Sequence, residues 1–350
     1  MPQWILSAAR QNVQSLRWLG RMQLSTGAAV DVIAAAIGGT MTNLAFDPDT
    51  KHLRATLALF PDVLLGDATS EVEFVGYRQL NGIVLPTRRV SRTGGEVTRD
   101  LTYSAATLNY TMADSLAAPP AGFVVAPPSA PAEPAKVVAP GVWAVGGGAA
   151  ALVVAMRDYI LVVDAPQSTD AATIERIKAL APGKPIRYVV PTHHHSDHAS
   201  GVKQYAAAGA TIVTTPANRA YMERLAIARS TLLTDLAPAA NKPTIETMGD
   251  RKRVFSDGSR TVEIHDIGPG PHAEEMLIAW IPEEGVLFQG DLIDVGTNGL
   301  INRGTNNETT MHFAEWLKRQ NWNVRVYAGS HGFLRSAADF AELVSQPILR

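Results

Sequence analysis

Seven prolines, Pro119, Pro120, Pro127, Pro128, Pro131, Pro134 and Pro140, crowd one short stretch in the middle of the chain. Proline has no N–H to donate and a fixed φ, so neither a helix interior nor a central strand can run through such a segment. The chain is therefore expected to fold separately on either side. A smaller domain is expected over residues 1–118, a linker over 119–136 and a larger domain over 137–350. A length of 350 residues suits that division, because each part is long enough to bury its own core. With 46% hydrophobic and 18% charged residues, neither part reads as disordered.

Before the prolines, Ile5, Ala9, Val13 and Leu16 recur at helical spacing, which predicts an amphipathic helix over the first twenty residues. Apolar and polar residues then alternate over 53–59, the period of a half-buried strand. Segments 71–80 and 83–92 flank Asn81-Gly82, a hairpin signal, and Gly94-Gly95 leads into a further strand over 96–104. The reading is a small antiparallel β-meander behind a helix. After the prolines, strands are expected at 141–145, 151–156, 159–163, 186–190, 210–214, 262–267, 276–281 and 286–289, with helical stretches alternating among them. That texture is mixed α and β.

A net charge of −2 provides no global basic field, which argues against nucleic acid or an anionic membrane as partner. The apolar run 28–37 is interrupted by Asp31 and is too short to span a bilayer. Polar Ser7, Arg10, Gln11 and Asn12 follow Ile5-Leu6 at once, so the N-terminus does not read as a signal peptide. A soluble protein of the cytoplasm or the bacterial periplasm is expected. With no cysteine, the chain has no thiolate nucleophile, disulfide or thiolate metal ligand.

Four of the nine histidines fall in one loop, Pro191-Thr192-His193-His194-His195-Ser196-Asp197-His198-Ala199-Ser200-Gly201, directly after an apolar strand. Residues two apart in an extended segment point the same way, so His193 and His195 can converge on one metal while His194 faces elsewhere. Asp197 and His198 fall where a helix should begin, and the change of backbone direction lets them turn towards a second metal. Imidazole and carboxylate are the ligands zinc accepts when thiolate is absent.

The segment from Thr192 to His198 resembles the His-x-His-x-Asp-His signature of the metallo-β-lactamase superfamily. Further landmarks of that family have counterparts in order: Val162-Val163-Asp164, Gly268-Pro269-Gly270-Pro271-His272, Phe288-Gln289-Gly290-Asp291 and Gly329-Ser330-His331-Gly332. The resemblance covers the chain from about Pro140 onward and implies an α+β fold, the αββα sandwich, behind the smaller antiparallel domain. It implies that His193, His195 and His272 hold a first metal, that Asp197, His198 and His331 hold a second, and that Asp291 bridges them. Asp164 would lie beneath the ligands and orient their loop. His52, His265 and His312 are read as non-ligands.

The resemblance further implies a hydrolase with two zinc ions per chain, iron or manganese being alternatives, that activates water with Asp197 steering its proton. The Asp at 291 is similar to the glyoxalase II and lactonase branch, so a lactone, thioester or carboxylic ester of small size is the expected substrate. β-Lactam or phosphodiester cleavage, or an iron-dependent persulfide dioxygenase, are the alternatives. Segments 232–242 and 296–310 read equally as pocket walls or as solvated loop. The N-terminal domain reads as a packing, substrate-restricting or homodimer-forming module.

Overall fold

The computed structural model describes residues 2–62, 64–108, 134–166, 169–228, 231–232, 242–293, 307–331 and 335–348. Most of the expected linker 119–136 and of segments 232–242 and 296–310 lies outside these residues, as does Gly332. The chain divides into two compact units, Met1–Pro128 and Ser129–Arg350. No helix among the described residues is long and apolar enough to cross a membrane.

The first unit is one antiparallel sheet of seven strands in sequence order: β1 (Arg17–Gln23), β2 (Ala29–Ile37), β3 (Thr40–Phe46), β4 (Leu53–Asp62), β5 (Gly66–Leu80), β6 (Ile83–Thr93) and β7 (Glu96–Thr102). Its helix is shorter than the periodicity predicts, ending at Gln11, and β1 starts at Arg17. The chain leaves the helix because Ser15 Oγ accepts the Ala36 N–H at 3.0 Å, tying this segment to β2. Ala9 of the helix joins Ala35, Leu44, Leu53 and Phe74 in one apolar cluster. The predicted meander begins only at residue 53, whereas the observed one includes three earlier strands.

The second unit holds two sheets. In the first lie β8 (Lys136–Ala139), β9 (Val142–Gly146), β10 (Ala150–Ala155), β11 (Ile160–Val163), β12 (Ile186–Val190), β13 (Thr211–Thr214) and β14 (Ile245–Thr247). Strands β8 to β11 are antiparallel neighbours and β11 to β14 parallel ones. The second sheet comprises β15 (Lys252–Ser256), β16 (Thr261–Asp266), β17 (Leu277–Ile281), β18 (Val286–Gln289), β19 (Val326–Gly329) and β20 (Arg335–Ser336).

Val142, Leu152, Val154, Leu161, Val163 and Val190 of the first sheet meet Phe255, Val262, Ile264, Leu277, Ala279 and Phe288 of the second in a single buried layer. Removing each such side chain from water contributes about 1.5–3 kcal/mol, which makes this layer the principal glue of the unit. Helices Glu308–Lys318 and Ala337–Ser345 cover the other face of the second sheet through Phe313, Leu317, Phe340 and Leu343. Helices Ala171–Leu180, Val202–Ala207 and Arg219–Ile227 associate with β12, β13, β14 and one another. Helix, sheet, sheet, helix is the αββα order that the resemblance implies.

Strands β11 and β12 run parallel, as do β18 and β19, so all four end at the same edge of the sandwich. Two backbone bonds link the sheets at that rim, Ala150 N to Ser330 O at 2.8 Å and Leu277 N to Thr192 O at 2.7 Å. Residues just beyond these strand ends are thereby gathered in one place.

Candidate metal centre

Each of the seven residues read as ligands follows a strand end at that rim. His193 and His195 come from the loop after β12, and Asp197 and His198 from the one-turn helix Ser196–Ala199 that closes it. His272 lies in the β16–β17 connection, Asp291 follows β18, and His331 follows β19. Their ligand atoms form two groups, His193, His195, His272 and Asp291, and Asp197, His198, Asp291 and His331, each within 4.8 Å.

In the first group the three imidazole nitrogens form a triangle. His193 Nε2 is 3.0 Å from His195 Nδ1, and His272 Nε2 is 3.2 Å from both. Three nitrogens on a tetrahedral zinc, at bond lengths of about 2.0–2.1 Å, stand about 3.3 Å apart, so the triangle matches the face of such a site. In the second group His331 Nε2 lies 3.0 Å from Asp197 Oδ2 and 3.2 Å from His198 Nε2. Asp291 belongs to both: Oδ2 is 3.1 Å from His272 Nε2, and Oδ1 is 3.0 Å from His198 Nε2 and 3.3 Å from His331 Nε2. Oδ1 is nevertheless buried without a hydrogen-bond partner. A buried carboxylate oxygen left so is costly, and a cation between the groups would remove the cost.

The far sides of the rings are fixed. Asp164, wholly buried, accepts from Thr192 N at 2.7 Å through Oδ1 and lies 2.8 Å from His198 Nδ1 through Oδ2, which also accepts Ser330 Oγ–H at 2.8 Å. A carboxylate has no proton to give, so His198 carries hydrogen on Nδ1 and presents the Nε2 lone pair to the group. The Gly148 carbonyl, 2.7 Å from His331 Nδ1, imposes the same tautomer there. Thr192 Oγ1 stands 3.1 Å from His193 Nδ1. A Cβ at Gly290 would meet Thr192 Oγ1 at 2.5 Å, and one at Gly201 would meet the Pro166 carbonyl at 2.5 Å, so both positions require glycine for closeness of approach.

Burial holds the His193 and His195 imidazoles below the ordinary histidine range, with the neighbouring His193 and His272 adding to the effect at His195. Neutral rings are the form that binds metal. At His198 burial opposes the charge, but the carboxylates of Asp164 and Asp291 outweigh it and raise the ring to about 10. Asp291 is driven far below the usual carboxylate range: burial resists, and the imidazoles of His193, His198 and His272 against its oxygens prevail. The carboxylates thus demand positive charge at this spot, whether from protons or from metal ions.

Sequence reasoning did not find Thr192, Ser330 or the Gly148 carbonyl, and nothing in their spacing marks them. His265 pairs with Glu263 at 2.9 Å and packs on Trp322, away from both groups. His312 sits within the helix Glu308–Lys318.

The profile of the Metallo-beta-lactamase superfamily matches residues 144–329. The chain belongs to that superfamily. Solved structures similar to this superfamily member include the metallo-β-lactamase FIM-1 of Pseudomonas aeruginosa in its mono-zinc form. It is 21% identical, with 63% of this chain and 96% of that one covered and a TM-score of 0.44. A metallo-β-lactamase from Hirschia baltica is 22% identical over 63% of this chain and 100% of that one, TM-score 0.43. The flavodiiron protein of Giardia intestinalis is 16% identical over 62% and 59%, TM-score 0.46. No curated protein sequence matches this chain at a significant level.

Proposed function

We propose that this chain is a hydrolase with two metal ions, zinc before iron or manganese, that opens an ester-type bond of a small molecule: a lactone, thioester or carboxylic ester. The observation that supports it most is Asp291, which offers one oxygen to each of the two groups. His193, His195 and His272 would hold one ion and Asp197, His198 and His331 the other; a nitrogen and oxygen donor set without thiolate suits zinc. When bound, such a pair supplies Lewis acidity and lowers the pKa of the water it holds. Asp197, half exposed with Oδ2 3.0 Å from His331 Nε2, would steer the proton of the attacking water. Asp291 would supply negative charge to balance such ions, and Asp164 would keep the His198 lone pair turned inward.

Metal analysis of the purified protein should return close to two zinc-type ions per chain, because seven donors exceed what one tetrahedral ion accepts. On the same sample, initial rates across lactones, thioesters, simple esters, phosphodiesters and a chromogenic lactam should favour the first three. A reproducible value near one ion, or iron together with dioxygen consumption, would overturn the two-metal hydrolase. A lactam or phosphodiester preference would move the substrate to the alternative classes.

The larger unit is further proposed to fold as a domain of its own, with the N-terminal sheet restricting substrates or forming a dimer. All proposed ligands lie beyond the prolines, so a fragment starting between residues 129 and 136 should fold and take up the same metal. A soluble, folded fragment that takes up none would show that the N-terminal unit completes the site.

A further inference from the structure

The loop that delivers His272 reads Gly268-Pro269-Gly270-Pro271-His272, and each of its glycines lies against a flat side chain from another element. A methyl group at Gly268 would stand 2.6 Å from Nη1 and 3.4 Å from Cζ of Arg251, the residue before β15. A methyl group at Gly270 would stand 2.9 Å from Nδ1 and 3.1 Å from Cε1 of the His312 ring, on the helix Glu308–Lys318. Pro269 between the glycines and Pro271 after them fix φ at two of the loop's positions, so a push at Gly270 is passed on towards His272.

Neither support is a ligand, and each is anchored to the rim. Arg251 O accepts the Asp266 N–H at 2.9 Å, and Asp266 Oδ1 accepts the Gly268 N–H at 2.8 Å. Arg251 and Asp266 also line an open cleft of about 330 Å³ together with Thr215, Pro216 and Met248. The helix with His312 is joined to the segment after Asp291, because Thr310 Oγ1 donates to Leu292 O at 3.1 Å. A displacement of the helix would therefore move His312 and the Asp291 segment together.

We propose that Arg251 and His312 are positioning residues that clamp the Gly-Pro-Gly-Pro loop and set where His272 Nε2 stands relative to His193 and His195. The role rests on the two-metal reading above. It explains why position 270 carries glycine: no left-handed backbone is needed there, and the absence of a Cβ serves only the closeness of the ring, whereas Gly268 is already required by its φ of 83°.

The test measures metal affinity by chelator competition and the visible spectrum of the cobalt-substituted full-length protein, with His272→Ala marking the signal that belongs to the first group. Gly270→Ala, which pushes the loop off the ring, should weaken that ion about tenfold and change its spectrum, the scale seen when a ligand loses its outer support. Adding His312→Ala to Gly270→Ala makes room for the methyl group and should return affinity and spectrum towards native, although each single change does harm. Arg251→Ala should weaken the same ion. A suppressor effect of this kind does not arise if His312 only stabilises its helix. Native two-metal uptake with Gly270→Ala unchanged, or with the double variant as weak as Gly270→Ala alone, overturns the clamp. A native chain that takes up no metal overturns the reading of the site itself and the positioning role with it.

Discussion

Asp291→Ala is expected to lower the hydrolytic rate by about a hundredfold or more and to leave the protein with fewer than two metal ions, since support residues alone cost about 10–100-fold. The side chain is the one group shared by both clusters, and the ion among Asp197, His198 and His331 should suffer most because it loses Oδ1, which stands 3.0 Å from His198 Nε2 and 3.3 Å from His331 Nε2. Asp291→Asn should do nearly the same harm, since an amide keeps the shape and loses the charge that balances two cations. His265→Ala serves as the control, because that ring pairs with Glu263 outside both clusters. If both Asp291 variants kept two ions and near-native rates while His265→Ala lost them, the ligand assignment would have to be abandoned.

Asp164→Ala should act on folding rather than on rate alone. Its carboxylate is fully buried and meets the Thr192 N–H, the Ser330 hydroxyl and His198 Nδ1. The Ser330 hydroxyl keeps the Ala150 carbonyl, 2.7 Å away, as an acceptor, but the Thr192 N–H and the His198 Nδ1–H lose theirs. Each donor left buried without a partner costs roughly 1–3 kcal/mol, and two of them take a large share of the about 5–15 kcal/mol that holds an ordinary domain together. Insoluble or far less thermostable protein is expected. Asp164→Asn separates chemistry from folding: asparagine tolerates the left-handed backbone at this position, φ 71°, and its size is unchanged. Its amide can turn an NH₂ towards His198, which would move that ring's hydrogen to Nε2, where it faces the metal position. A folded protein that has lost the second ion is the expected result, read by thermal melting and metal analysis on the same preparation. Full metal content in folded Asp164→Asn would show that His198 does not depend on this carboxylate.

His193, His195, Asp197 and His198 could be read from the chain because one loop holds them all, and the alternation of an extended segment followed by a helical turn suffices to aim them. His272, Asp291 and His331 come from three other segments, and alone each is an ordinary histidine or aspartate; their order along the chain, matched to a known family, was what singled them out. The supports were not legible for a different reason. A threonine hydroxyl at 192, a serine at 330 and a carbonyl at 148 are among the commonest polar groups in any sequence, and only the meeting of the two sheets gives them a task. In the N-terminal unit β2 escaped because Ala29–Ile37 presents apolar residues on both faces and so lacks the alternation that betrays a half-buried strand.

The rim assembles partners that are far apart along the chain: Ser330 bonds Asp164 across 166 positions, and His331 reaches Gly148 across 183. Contacts of such span carry a high entropic cost of loop closure unless closer pairings have already shortened the effective loop. During synthesis, residues 193 to 291 leave the ribosome before residue 331, so the three-histidine cluster has all its donors while the other still lacks one. A chain cut short before His331 would therefore keep every donor of the three-histidine group and lose one of the other.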